Sequence, residues 1–175
     1  MKYVALSFLI LIALIATSCN KLKNFPFDYT YHTSFSLPQA IVPATTDSIP
    51  ITIPTNVDSI LQKNGSNASL LQSAKLTALT MTITAPPGQT FAIVRSIQIF
   101  IVTPTGDLEI AQKTNVSSTS STLDMDVDNV ELKPYLVAEN MTLKVLATTN
   151  SGTTETMTVN IAMQVHFLAN LLSVL

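Results

Sequence analysis

Residues 157–167 read MTVNIAMQVHF, and this stretch decides the fold class. Met157, Val159, Ile161, Met163, Val165 and Phe167 alternate with Thr158, Asn160, Ala162, Gln164 and His166. A period of two puts every apolar side chain on one face of a pleated strand. A helix with a buried stripe would need apolar residues three and four positions apart.

The same period runs through residues 25–37, where Phe25, Phe27, Tyr29, Tyr31, Thr33, Phe35 and Leu37 share one parity. That row predicts a strand with an aromatic inner face and a polar outer face carrying Asp28, His32, Ser34 and Ser36. Shorter rows follow at Leu79, Met81 and Ile83, and at Leu123, Met125 and Val127. Residues 96–103 and 108–113 read as a hairpin joined by Pro104-Thr105-Gly106-Asp107. Pro86-Pro87-Gly88 ends one strand, and Asn150-Ser151-Gly152 separates the last two. Residues 48–53 read as a short edge strand, because Pro50 and Pro54 cannot donate to a ladder. Asn56 is placed to cap a short helix over residues 57–63 that closes at Asn64-Gly65. Pro134 marks a further helical turn within residues 131–138, and residues 65–76 read as a mobile loop.

These elements predict an all-β chain: an antiparallel two-sheet sandwich, immunoglobulin-like or Greek-key, with one or two short helices. A closed barrel fits the same strand count. The 40 serines and threonines agree with this class, since they cover strand faces without charge.

The first residues have another purpose. Lys2 precedes an apolar run from Val4 to Ala16, interrupted by Ser7 and followed by Ala16-Thr17-Ser18-Cys19. A basic start, a short apolar run and a small-residue zone describe an export signal, too short for a spanning helix. Cys19 is the sole cysteine, so it has no partner for an internal disulfide. Ala16-Thr17-Ser18-Cys19 resembles the lipobox of bacterial lipoproteins. The resemblance implies a signal peptide over residues 1–18, diacylglyceryl attachment at Cys19, and usually a further acyl chain, such as palmitate, on the new amine. Residues 19–24 are then a short tether, and residues 25–175 form a single domain. More than one acyl chain anchors a protein stably without a basic patch.

The whole chain resembles the small cell-envelope lipoproteins of the Bacteroidota, through this lipobox and, loosely, residues 123–149. The resemblance implies an outer-membrane location. Asn20-Lys21-Leu22-Lys23 lacks the acidic cluster of that family's surface-export signals, which favours the periplasmic side. The triplets at Asp47-Ser48-Ile49 and Asp58-Ser59-Ile60 resemble that group's O-glycosylation pattern, making Ser48 and Ser59 candidate glycan sites.

Charge argues in the same direction. Removing residues 1–18 takes Lys2 and leaves eight basic side chains against eleven acidic ones. That balance speaks against nucleic acid and against electrostatic docking to anionic lipid. His32 and His166 fall on polar strand parities, with no carboxylate or thiolate assigned beside them. Asp124, Asp126 and Asp128 resemble the opening of a calcium loop, but Asn129 stands in the glycine place and Tyr135 in the bidentate glutamate place. An acidic strand face fits this cluster better than a metal site. No G-x-S-x-G elbow, S-x-x-K or phosphate-cradling glycine loop occurs. The sequence thus predicts a non-enzymatic binding or structural module, without cofactor, held at the membrane beside an envelope protein partner. A surface-exposed glycan-binding or adhesive subunit, and a carrier of an apolar ligand between the sheets, are the alternatives. Residues 167–175 (FLANLLSVL) read as core, membrane-contacting or partner-binding.

Overall fold

The computed structural model describes residues 24–38, 46–116, 118–151 and 155–171. The expected signal peptide, Cys19 and residues 20–23 lie outside the described residues. In chain order the strands are β1 (Asn24–Leu37), β2 (Thr46–Pro54), β3 (Leu71–Ala85), β4 (Val94–Ile101), β5 (Leu108–Thr114), β6 (Thr122–Asp124), β7 (Asp126–Val127), β8 (Asn140–Thr149) and β9 (Met157–Asn170). Helix α1 (Val57–Lys63) follows β2, and helix α2 (Lys133–Leu136) precedes β8.

Two antiparallel sheets result. One has the order β1-β9-β3-β6, the other β2-β8-β4-β5-β7. Early and late strands interleave in each sheet, the arrangement of nested Greek keys in a jelly roll. Of the two sandwich topologies expected, the chain adopts the Greek-key one.

The alternating rows meet between the sheets. Val159, Val165 and Phe167 of β9 face Leu143 and Val145 of β8 and Ile99 of β4 across a core in which all six are fully buried. Burying a side chain of this size contributes about 1.5–3 kcal/mol, so the inner rows dominate stability.

β3 keeps its inner row in a less regular way. Leu71, Ala74, Leu76, Leu79, Met81 and Ile83 are all buried, and register shifts fall at Leu71/Ser73 and Leu76/Ala78. Each bulge adds one residue and restores the inward parity. The expected mobile loop at residues 65–76 is therefore corrected. Ala68–Leu70 form a 3-10 turn, and from Leu71 the chain is strand. Asn67 caps that turn, its side-chain oxygen accepting from the Leu70 N–H at 3.2 Å.

The β4–β5 hairpin, α1 and the Pro134 turn occur where the sequence places them. Asn56 differs in its means. It sits before α1 with φ 47° and makes no side-chain cap bond. A left-handed asparagine turns the chain there, as its short polar side chain permits. β2 is longer than expected and forms the edge of its sheet beside β8.

The alternating row predicted at Leu123, Met125 and Val127 is broken by a change of sheet. β6 pairs with β3, while β7 pairs with β5. Met125, buried between them, donates its N–H to the Leu79 carbonyl at 2.9 Å.

Candidate functional site

The strand directions divide the loops between two ends. β1 begins, and β2 and β4 finish, at the end where α1, the β4–β5 turn and α2 also lie. β9 finishes there too, since Asn24 pairs with Asn170. The described chain therefore enters and leaves at this end, the tether end of the sequence expectation.

The aromatic row of β1 behaves differently along its length. Tyr31, Phe35 and Leu37 are buried as predicted. Phe25 and Tyr29 are not, at 38% and 39% exposure. The expectation of an entirely inner aromatic face is corrected at these two positions. Tyr31 donates its hydroxyl to the Thr55 carbonyl at 2.9 Å, just beyond the end of β2. The residues of β1 before Tyr31 thus extend past the strand that would cover them. The exposed rings are braced all the same. Phe25 stacks on Phe27 with centroids 6.0 Å apart, and Phe27 stacks on buried Phe167 at 5.1 Å. Tyr29 meets Tyr31 edge-on at 4.9 Å.

Thr55 ties this end together. Its hydroxyl donates to the Ala138 carbonyl, and its N–H donates to the Glu139 carbonyl at 3.0 Å. Beside it lies a shallow groove lined by Asn56, Asp58, Ser59, Val137 and Glu139. A neighbouring, more apolar groove of about 370 Å³ is lined by Val102, Pro104, Pro134 and Tyr135.

Across the outer face of the first sheet, Asp28, His166 and Lys75 occupy neighbouring register positions, and Lys75 pairs with Glu131. His166 Nδ1 lies 2.7 Å from Asp28 Oδ1. The sequence assigned no acid to this histidine; strand neighbours supply one. His32 faces Ala162, four positions along β9 from His166 and so about 13 Å away. The two imidazoles are not brought together.

Glu131 is the most engaged carboxylate. Its oxygens accept from Ser73 Oγ, from the Ala74 N–H at 2.7 Å and from the Lys133 N–H at 3.0 Å. Partial burial opposes its charge, but these bonds and Lys75 outweigh it and hold the carboxyl below its usual range. Sequence reading missed this residue, since its partners lie on a strand taken for a loop. Burial, with a smaller effect of Tyr29, pushes the Tyr31 hydroxyl well above its usual range.

The three aspartates do not converge. Asp124 accepts from Thr80 Oγ1 at 2.8 Å in one sheet, and Asp126 pairs with Lys113 at 2.8 Å in the other. Asp128 is exposed beyond β7. No cluster of three metal-ligating side chains occurs among the described residues. Ser48 is exposed on edge strand β2, and Ser59 is exposed on α1 beside the shallow groove. Of the apolar tail, Phe167 and Ala169 are buried in β9, and Leu171 is half-buried. Residues 172–175 lie outside the described residues.

No protein-family model and no curated protein sequence matches the chain. Solved structures give low-scoring likenesses. A decameric BFDV capsid protein is 10% identical, covering 83% of this chain and 99% of its own at a TM-score of 0.38. A Desmodium yellow mottle tymovirus chain is 15% identical, covering 86% and 92% at 0.33. The arabinose-bound α-L-arabinofuranosidase MgGH51 is 15% identical, covering 87% of this chain but 24% of its own at 0.31. Likenesses at these scores carry no argument about function, and the fold assignment rests on the strand order alone.

Proposed function

We propose that this protein is an acylated lipoprotein of the bacterial outer membrane, facing the periplasm, and a non-enzymatic binding or structural module for an envelope partner. The observation that carries this reading is the position of its sole cysteine. Cys19 ends an apolar export run and stands five residues before the first residue of β1. At about 3.3–3.6 Å per residue, Cys19 and Asn24 are at most about 18 Å apart. An acyl anchor there holds one end of the sandwich at the lipid surface.

The reading as a surface-exposed glycan-binding or adhesive subunit gains some support from the exposed rings of Phe25 and Tyr29. Their place at the tether end, close to the anchor, counts against it. The carrier reading needs space between the sheets, where Ile99, Leu143, Val145, Val159 and Val165 are packed and fully buried.

Growth with an alkyne fatty acid tests the proposal. The wild-type chain is expected to incorporate the label and partition into detergent, and Cys19→Ser to do neither. Equal labelling of both would sink the anchor. Protease treatment of intact cells then tests the side: loss of the domain would overturn the periplasmic placement.

A further inference from the structure

We propose that the corner formed by the start of β1 and the end of β9 seats against the bilayer, with Phe25 and Tyr29 entering its headgroup region. This rests on acylation of Cys19.

The four large hydrophobic side chains exposed among the described residues are Phe25, Tyr29, Val102 and Val137. All four belong to the tether end. Val102 follows the last residue of β4 and donates its N–H to the Thr142 carbonyl at 2.9 Å, while Val137 follows α2. None belongs to the described residues of the loops at the opposite end. Phe25 and Tyr29 lie two strand positions to either side of half-buried Phe27 on one face of β1, so their exposed rings belong to one apolar row.

The occupant follows from the tether. Asn24 is at most about 18 Å from the acylated residue, so the lipid surface is the first partner this corner meets. Tyr29, an apolar ring with a polar hydroxyl, suits the boundary between headgroups and acyl chains, and the wholly apolar ring of Phe25 suits its acyl side. Phe25 and Tyr29 are held ready by the rings of Phe27 and Tyr31, so little side-chain freedom remains to be lost on contact. The described chain leaves β9 through half-buried Leu171 beside this corner. Charges of both signs lie at this end, Lys63 of α1 and Lys133 of α2 beside Asp58 and Glu139, so the exposed rings are the feature that favours lipid.

The chain contains no tryptophan, so Phe25→Trp introduces a single tryptophan, whose emission is excited apart from that of the four tyrosines. The full-length acylated protein is reconstituted into phosphatidylethanolamine–phosphatidylglycerol vesicles containing acyl-brominated lipid, and its intact mass is measured. Phe25→Trp is expected to emit at shorter wavelength than in detergent-free buffer controls and to lose most of its emission to the brominated lipid. Arg95→Trp, exposed at the opposite end, is expected to be unaffected. Tyr29→Trp repeats the measurement if the first variant misfolds. An acylated mass with neither probe quenched overturns the docking while leaving the anchor in place. An unmodified Cys19 overturns both.

Discussion

Asn24 and Asn170 face each other on the outermost rung of the β1–β9 ladder, so the described chain enters and leaves the sandwich at one corner. β1 is an edge strand there, hydrogen-bonded along one side to β9. Past the end of β2, ring stacking replaces the covering strand: Phe27 lies nearly parallel to Phe167, with an interplanar angle of 6°. Phe27→Ala is expected to cost about 2 kcal/mol, below the range for a fully buried phenylalanine because Phe27 is half-buried. Thermal melting reads the loss, and amide exchange is expected to quicken at residues 25–30 before it does elsewhere. Uniform quickening along β1 would show that the stack does not hold the strand's start.

The assigned faces of β9 can be tested at adjacent positions. Ile161 is 1% exposed, between Thr33 and Met81 in register, whereas Asn160 is exposed. Ile161→Asp buries an unpaired charge and is expected to remove more than about 4 kcal/mol, enough to unfold many domains. Asn160→Asp is expected to melt within a few degrees of wild type. Similar losses at both positions would refute the parity.

These faces were legible because β9 keeps strict alternation over its whole length. β3 was half legible for a definite reason. Its bulges place buried residues three apart at Leu71/Ala74 and Leu76/Leu79, so the period of two breaks and residues 65–76 resemble a loop. The exposure of Phe25 and Tyr29 was not legible at all. Their parity is correct, but whether a strand lies opposite depends on where β2 stops. The pairing of His166 with Asp28 and the clamp on Glu131 likewise come from strands far apart in sequence. Asp124 and Asp126 share a parity in the sequence yet occupy different sheets, because the chain changes sheet at Met125.

That separation makes a prediction for metal. Asp124 is bonded to Thr80 and Asp126 to Lys113, so calcium would have to break both arrangements to bridge them. Millimolar calcium is expected to leave the melting temperature unchanged, and Asp126→Asn to alter it little, since exposed ion pairs contribute about 0–1 kcal/mol. A calcium-dependent rise that Asp124→Asn abolishes would establish a site.

Tyr31 joins the two sheets through the Thr55 carbonyl. Tyr31→Phe removes the donor and is expected to cost about 1–3 kcal/mol, because Thr55 is buried and its carbonyl loses that partner. The native hydroxyl titrates above its unfolded value, so its contribution is complete below about pH 10 and fades as pH rises beyond that. Wild type is therefore expected to lose more stability than Tyr31→Phe in denaturant titrations carried above pH 10. Parallel alkaline losses in the two proteins would place the burial of this hydroxyl in doubt.

Glu131 makes the opposite case at acid pH. Its native carboxyl titrates below its unfolded value, so its stabilisation is present above about pH 4.3 and disappears as pH falls through the native value. Protonation weakens acceptance from Ser73, Ala74 and Lys133, the contacts that fasten the start of α2 to β3. Glu131→Gln keeps the shape and one acceptor oxygen but cannot titrate. It is expected to be less stable than wild type at pH 7 and to lose less on acidification, so the two stability curves converge below pH 4. The carboxylate is largely exposed, so the gap at neutral pH is expected to be modest. Curves that stay parallel from pH 7 to pH 3 would mean the carboxylate's charge contributes nothing to holding α2 against the sheet.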